Sequence, residues 1–294
     1  MVFIYETNIV IPKVCRKMNL LPYYVRSFQS TIIFLNFEPS TSLGKKEGGE
    51  NMKKWFVTAI FSLILFLGGF STYASNTDQS LSSSIQYILK QNPGLNKNEL
   101  MNDVREIAQK ENQSYHEVIQ AIVEELKEEE RLTVQENTYQ LMGADTGTKV
   151  IGPATRGYIF YTPASTWGLD HGHVGMYYTS TSIVESVPGD GVRHISAYTR
   201  KVENTGAVLK RVNTSSTNIN AAVDWAVSRI GVDGYSYNFA TNRETSHYGD
   251  KNCSKLLWSA FMLKAGIDID VDKGLGVYPR DIRDSGYMIH VRNL

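Results

Sequence analysis

The chain has 294 residues, with 30 Lys and Arg side chains against 30 Asp and Glu side chains and a hydrophobic fraction of 42%. This length allows at least one domain with a proper core, and the balanced charge, without a basic patch interleaved with aromatic residues, argues against nucleic-acid binding. Two cysteines are too few for a disulfide framework.

A secretory signal peptide is predicted over residues 52–74. The basic start Met52-Lys53-Lys54 precedes an apolar run over residues 55–70, and small residues follow up to Ala74. An uncleaved membrane anchor is the alternative, although the run is short for a span. We therefore expect cleavage near Ala74 and a protein that is secreted or associated with the cell surface or cell wall.

Residues 1–51 precede this signal, although a signal peptide should begin a chain. The segment has no clean periodicity, and residues 46–51 can be encoded by a purine-rich bacterial ribosome-binding sequence just before the Met52 codon. We hypothesise that translation starts at Met52 and that residues 1–51 are a non-native upstream extension. Because Cys15 lies in that extension, the exported chain would hold one cysteine, Cys253, carry a net charge of about −4 and form no internal disulfide.

Residues 75–141 are predicted to form a helical N-terminal region. Two capping boxes, Asn96 with Glu99 and Ser114 with Glu117, begin stretches whose apolar residues recur at helical spacing. Nothing in the region suggests catalysis. It is typical of a small pro-region or a docking module, which would dock on or cover the domain that follows.

Residues 142–149 are polar and rich in Gly and Thr, which predicts a linker, and the pattern then changes to short aromatic and β-branched runs. A helix is predicted at 217–230, and a buried helix begins at Cys253. The predicted strands lie at 157–162, 173–178, 182–187, 192–198, 208–212 and 287–291. This order predicts an α+β domain over residues 150–294.

The helix that begins at Cys253 is apolar around most of its girth. Residues 256–263 are nearly all apolar, so only a strip near Lys255, Ser259 and Lys264 is expected to face water. A thiol at a helix N-terminus lies among unsatisfied N–H groups, which favour the nucleophilic thiolate. The alternative is that Cys253 is one more small buried core residue.

A cysteine nucleophile needs a nearby base and usually a polar group that orients the base. His173 opens an apolar strand, and Glu185 lies in the middle of the next strand. If the two strands form a hairpin, Glu185 can face His173 and hold its tautomer. His171 is a rival base and Asp190 a rival orienting group.

The order His173, Glu185, Tyr235 and Cys253 resembles that of the NlpC-type papain-like cysteine hydrolases. Because the histidine precedes the cysteine, the resemblance is to the circularly permuted branch, the YiiX-like and YycO-like proteins, over about residues 150–294. It implies a permuted papain-like domain in which an antiparallel sheet packs on the buried cysteine-bearing helix.

The same resemblance implies a role for each residue. Cys253 would be the nucleophile, His173 the base, Glu185 the orienting group and Tyr235 a donor to the oxyanion, with Tyr237 as its rival. The chain departs from the usual pattern at residues 157–159, where the family commonly has Gly-Asp-Ile, and at position 252, where an Asn precedes the cysteine.

These residues lead us to expect an exported, monomeric cysteine peptidase or amidase that cleaves amide bonds, with peptides of the bacterial cell-wall peptidoglycan as first candidate substrate. The alternatives are a lipid-directed amidase, esterase or acyltransferase, or a non-catalytic wall-binding protein on the same scaffold.

Metal and cofactor sites are not expected. Residues 268–274 begin like a calcium loop, but Lys273 occupies the glycine position and Pro279 the position of the bidentate acid. The sequence contains no HExxH, CxxC or GxxxxGK[ST] motif.

Overall fold

A computed structural model describes residues 79–135, 147–166, 169–170 and 172–294, which all fall within one compact unit. The predictions for residues 1–51, Cys15, the signal peptide, most of the linker and His171 lie outside these residues. Within the described ranges, no helix is long and apolar enough to cross a membrane.

Three helices form the N-terminal region: α1 over 79–91, α2 over Lys97–Glu111 and α3 over Tyr115–Gln135. The Asn96 side chain caps α2 by accepting the backbone N–H of Asn98. The Ser114 hydroxyl accepts the backbone N–H of Glu117, whose carboxylate accepts that of Ser114. The predicted caps at both helix starts are therefore confirmed.

The second part of the chain is built on a six-stranded antiparallel sheet in the order β10-β9-β2-β5-β6-β7. Two small sheets, β1 with β8 and β3 with β4, flank it. The strand bounds are β1 Lys149–Val150, β2 Tyr158–Thr162, β3 Ser165–Thr166, β4 Leu169–Asp170, β5 His173–Tyr177, β6 Ser182–Val187, β7 Gly191–Ser196, β8 Lys201–Val202, β9 Val208–Val212 and β10 Met288–Asn293.

Two helices cover one face of this sheet, α4 over Ser216–Val227 and α5 over Cys253–Ala265, and a short α6 follows over Pro279–Asp284. Side chains alternate across the sheet: Ile159 of β2 packs toward α4 and α5, while Phe160 joins a second cluster with residues of β8 and β9. The mixed α+β architecture with antiparallel sheets is therefore confirmed.

The surface of α5 differs from the prediction. Lys255 and Ser259 are buried, whereas the apolar residues Met262 and Leu263 are each 38% exposed. The reason is a loop over residues 242–247 that lies across the polar strip. The Lys255 ammonium group donates to the backbone carbonyls of Arg243 and Thr245 in that loop, and burial lowers its pKa to about 7.

The N-terminal helices share a hydrophobic cluster with the rest of the chain. Buried residues of α1, α2 and α3 pack with Phe239 and Ala240, which precede α5, and with Tyr278, which precedes α6. Polar contacts reinforce the packing, since the Arg280 guanidinium lies 2.8 Å from the carboxylate of Glu129 on α3. The helical region is thus docked on the sheet-containing part of the chain.

Replacing Phe261, which is fully buried in α5, by alanine should lower the free energy of unfolding by about 3–5 kcal/mol, because the change removes a ring from the core and leaves a cavity. Urea unfolding followed by circular dichroism measures the loss. Met262→Ala, one residue further on the exposed side, should change the stability by less than about 1 kcal/mol. Equal losses in the two variants would contradict the burial of α5.

Candidate functional site

The hairpin of β5 and β6 brings His173 and Glu185 to the same face of the sheet. Met176 pairs with Val184, and this register sets Gly175 opposite Glu185. A Cβ atom at Gly175 would lie 2.5 Å from the Phe160 ring and 3.2 Å from Glu185 Cβ. Glycine therefore leaves the space that the Glu185 side chain occupies, and the predicted hairpin is confirmed.

His173 lies between Glu185 and Cys253. Its Nε2 atom is 2.8 Å from Glu185 Oε2, and Cys253 is the neighbour that raises the pKa of the ring most. Because Nε2 is engaged by the carboxylate, Nδ1 is the ring atom left to face sulfur. All three side chains are buried. The structure therefore brings together the residues from which the sequence predicts a nucleophile, a base and an orienting group.

Cys253 is the first residue of α5, and two contacts fix the start of this helix. The Asn252 side chain caps it by accepting the backbone N–H of Lys255 at 3.0 Å. Ser186, next to Glu185 on β6, donates its hydroxyl to the backbone carbonyl of Lys251 at 2.6 Å. The second contact ties the helix start to the strand that carries Glu185.

Tyr235, in the loop after α4, is the predicted oxyanion donor. Burial raises the pKa of its hydroxyl well above the usual range, and the negative charge of Cys253 adds to the effect. Tyr235 therefore stays protonated and can donate a hydrogen bond. Its ring meets that of Tyr237 edge-on, with centroids 4.9 Å apart.

Two arginines that the sequence analysis missed hold Glu185. Arg200 is fully buried and its Nε donates to Glu185 Oε2 at 2.8 Å, while Arg193 donates through Nε and Nη2 to Oε1 at 3.1 and 2.8 Å. Glu185 lies opposite Arg193 in the register of β6 and β7, and this pairing could have been counted across the short turn between the predicted strands 182–187 and 192–198. No comparable signal existed for Arg200, which lies beyond the end of β7.

The two titratable partners of the site have opposite pKa shifts. Burial alone would lower the pKa of His173, but the charge of Cys253, the hydrogen bond to it and then Glu185 raise this pKa to about 9. Burial alone would raise the pKa of Glu185, but the charge of Arg200 and the hydrogen bond from His173 hold it well below its usual range. The arrangement thus favours a carboxylate and an imidazolium.

The rivals have other environments. Asp190 is exposed and forms an ion pair with Arg193, whereas the carboxylate bound to His173 is that of Glu185. His247, a further histidine that precedes α5, shares a hydrogen bond with Ser259 at 2.9 Å and stacks on Trp258, which is a structural role. His171 lies outside the described residues.

Metal-ligating side chains gather elsewhere. In the parts of the chain that the structure describes, the group arranged to hold a metal ion consists of Asp270, Asp272 and Asp281, and it includes neither His173 nor Cys253.

Comparison with known proteins gives one strong match. The chain is 46% identical over 198 residues to a protein of Bacillus subtilis (strain 168) described as the uncharacterized protein YycO, and the alignment covers 66% of this chain and 80% of YycO. This chain belongs to the YycO family. The resemblance to YycO-like proteins is therefore confirmed, and YycO itself is uncharacterized.

Two further comparisons add little. No protein-family model matches the chain. A solved structure, that of the metalloprotein YiiX from Escherichia coli O157:H7, is 15% identical and covers 48% of this chain and 98% of YiiX with a TM-score of 0.37. A score this low does not allow fold detail or metal content to be transferred to the YycO-family chain.

Replacing Arg200 by methionine should destabilise the protein by about 3 kcal/mol or more, because removing one partner of a buried ion pair leaves Glu185 under-compensated. Thermal and urea unfolding measure the change. The matched control is Arg131→Met, since Arg131 pairs with Glu128 on the surface of α3, where such pairs contribute about 1 kcal/mol or less. Similar losses for the two variants would mean that the Glu185 charge is not held by Arg200.

Proposed function

We propose that this YycO-family protein is an exported cysteine hydrolase of the permuted papain-like, NlpC-type class, which cleaves amide bonds by acyl transfer. One observation carries the proposal: the His173 ring is hydrogen-bonded to Glu185, and Cys253, at the N-terminus of a buried helix, is the neighbour that raises the pKa of this ring most. A nucleophile, a base and an orienting carboxylate in this sequence of contacts form the arrangement that covalent catalysis requires.

In the first half of the reaction, the Cys253 thiolate attacks the carbonyl carbon of the amide, a C–S bond forms and the carbonyl electron pair moves to oxygen. The protonated Tyr235 hydroxyl can donate to this oxyanion. The His173 imidazolium then gives its proton to the leaving nitrogen, the C–N bond breaks and an amine leaves. The product of this half is a thioester on Cys253.

In the second half, water attacks the thioester while neutral His173 accepts one of its protons. The C–S bond breaks, a carboxylic acid is released and the thiolate with its imidazolium partner is restored. Glu185 stays ionised throughout, because Arg193 and Arg200 neutralise its charge. Its function is to accept the Nε2 hydrogen, which keeps Nδ1 directed at the reacting atoms.

Peptides of the bacterial cell wall are the substrates that we propose. The support is the signal peptide predicted over residues 52–74 and the resemblance of the motif order to exported NlpC-type enzymes. The nucleophile, the base, the orienting carboxylate and the oxyanion donor of the proposed mechanism are all side chains of this chain, so the mechanism requires no cofactor.

The protonation state of the pair can be tested through the pH dependence of iodoacetamide labelling at Cys253. The proposed pair consists of a Cys253 thiolate and a protonated His173 ring, whose pKa is raised to about 9. The labelling rate of Cys253 should change little when the pH is lowered from 8 to 6. Over the same range the labelling of an ordinary thiol with a pKa near 8.5 slows roughly a hundredfold, because its thiolate fraction falls. Mass spectrometry of the Cys253 peptide gives the rates.

His173→Asn should restore the steep dependence of an ordinary thiol, and so should denaturation of the parent protein. The ratio of rates at two pH values is independent of how accessible the buried sulfur is. A parent protein with the same steep dependence as His173→Asn would refute the thiolate–imidazolium pair.

The activity itself can be tested on purified peptidoglycan and, in parallel, on phospholipid and lipid-amide vesicles. The parent should release muropeptides with new amine and carboxyl ends, and Cys253→Ala should lose this activity by a factor on the order of 10³ or more, because no other group can form the acyl-enzyme. Mass spectrometry of the soluble products is the measurement.

Met262→Ala, an exposed change in the same helix, is the control and should retain full activity. A Cys253→Ala variant as active as the parent would refute the mechanism. Fatty acid without muropeptides would favour the lipid-directed alternative, and no product from either substrate would favour the non-catalytic wall-binding alternative.

A further inference from the structure

Three aspartates converge on the chain segment that follows α5. Asp270 and Asp272 lie in the loop between α5 and α6, and Asp281 lies in α6. One carboxylate oxygen from each is within 4.8 Å of the others. Asp270 and Asp281 are buried and Asp272 is exposed, so the group opens to solvent on one side.

Asp270 has an oxygen without a partner. Its side chain is fully buried, and Oδ2 lies 2.5 Å from Arg243 Nη1, but Oδ1 is inaccessible to solvent and receives no hydrogen bond. A buried carboxylate oxygen in this state is unfavourable, because it has lost its water without gaining a donor or a cation. Since Oδ2 is engaged by Arg243, Oδ1 is the atom that Asp270 can offer to the group.

The surroundings carry more negative than positive charge. Asp281 and Asp272 accept only backbone N–H groups, those of Tyr278 at 2.7 Å and Gly274 at 3.0 Å, and neither forms an ion pair within the described residues. Nearby Glu125 of α3 likewise accepts only backbone N–H groups, at 2.8 and 2.9 Å.

The arginines of this region are already engaged. Arg243 divides its charge between Asp268 and Asp270, Arg280 pairs with Glu129 and Arg283 pairs with Asp284. These contacts leave the carboxylates of Asp272 and Asp281 without a positive partner in the described part of the chain.

We propose that Asp270, Asp272 and Asp281 bind a divalent cation, Ca²⁺ in preference to Mg²⁺. The ligand atoms are all carboxylate oxygens, which hard cations prefer. Ca²⁺ takes about six to eight oxygen ligands in flexible geometry, whereas Mg²⁺ demands a near-ideal octahedron and keeps several of its waters. Three protein carboxylates whose oxygens converge within 4.8 Å of one another therefore suit Ca²⁺ better than Mg²⁺.

A cation site in this region was not expected from the sequence. Residues 268–274 are indeed not an EF-hand loop, since Asp268, the first acid of that pattern, bonds to Trp258 Nε1 and Arg243 instead. The missing acid is supplied by Asp281, because Pro279 starts a helix whose third residue turns back toward the loop. Sequence spacing alone does not reveal this return of the chain.

The cation would also affect the docking of the N-terminal helices. The turn that carries Asp272 receives α3, because the Glu125 carboxylate binds the N–H groups of Leu275 and Gly276. A cation between Asp272 and Asp281 would reduce the repulsion that Glu125 experiences and fix the turn on which α3 rests. Cation binding would thus stabilise the folded chain as a whole.

Calorimetric titration of the purified full-length protein, after treatment with EDTA, tests the site with Ca²⁺ and Mg²⁺ in separate experiments. We expect one Ca²⁺ per chain with a Kd of about 10⁻⁴–10⁻³ M, weaker Mg²⁺ binding, and a melting temperature that rises by about 3–6 °C at ten times the Kd. Asp272→Asn should weaken Ca²⁺ binding at least about tenfold, since it removes a charged ligand. Glu124→Gln, an exposed change of equal charge on α3, should leave binding unchanged.

Luminescence of Tb³⁺ excited through aromatic rings, and its displacement by Ca²⁺, provides a second measurement on the parent protein that does not depend on the folding of any variant. Failure of the parent to bind Ca²⁺ or Mg²⁺ saturably would overturn the site, and tighter Mg²⁺ binding would overturn the choice of ion. Equal weakening by Asp272→Asn and Glu124→Gln would show general charge attraction and also overturn it.

Discussion

The buried negative charge of Glu185 is the constraint on which the rest of the site depends. A carboxylate with no solvent exposure is strongly unfavourable unless positive groups and hydrogen-bond donors surround it. Here the compensation comes from three directions: His173 on β5, Arg193 on β7 and Arg200 just after β7. The charge therefore holds three neighbouring segments in one arrangement. Loss of any one donor leaves the buried Glu185 carboxylate under-compensated.

This compensation also determines what His173 can do. Because Arg200 and Arg193 keep Glu185 ionised, the carboxylate accepts the Nε2 hydrogen and the ring cannot turn without losing that bond. The remaining ring nitrogen then faces Cys253, whose position is fixed separately by the start of α5. The cap at Asn252 and the bond from Ser186 to the Lys251 carbonyl join the helix to the same strand that carries Glu185. The alignment of the three groups is thus a property of the β5–β6 hairpin and the helix start together.

The sequence predicted those parts of the site that depend on local periodicity. Alternation along two neighbouring runs identified the hairpin, and because side chains alternate with a period of two, it put His173 and Glu185 on one face. Cys253 could be assigned to a helix start, because a polar loop precedes it and an apolar run follows, whereas the capping role of Asn252 was not predicted. These predictions require only the identity of residues that are neighbours in sequence or that pair across a single hairpin.

The features that the sequence did not predict all depend on contacts between distant segments. Lys255 and Ser259 have the polarity of a solvent-facing strip, but the loop over residues 242–247 covers them and supplies the hydrogen bonds that make their burial possible. Arg200 reaches Glu185 only because the chain turns after β7. Asp281 meets Asp270 only because α6 folds back on the preceding loop. In each case the residue has the local sequence pattern of an exposed polar side chain, and its partner lies on a segment that is distant in sequence.

Contacts from the N-terminal helices extend to the segment that leads into Cys253. Asp103 of α2 accepts hydrogen bonds from the Asn238 amide and the Thr241 hydroxyl, and the Asn238 backbone carbonyl in turn accepts the side-chain N–H of Asn252, the residue that caps α5.

Gly94, in the turn between α1 and α2, packs so closely on Tyr237 that a Cβ atom there would lie 2.7 Å from the ring. The Tyr237 ring meets that of Tyr235, whose hydroxyl is influenced by the charge of Cys253. The helices therefore contact both the cap of α5 and the tyrosine loop. Because these contacts involve buried groups and a shared hydrophobic cluster, the helices and the loop that shapes the site form one packed structure, and the geometry around Cys253 depends on residues 79–135 as well as on the sheet.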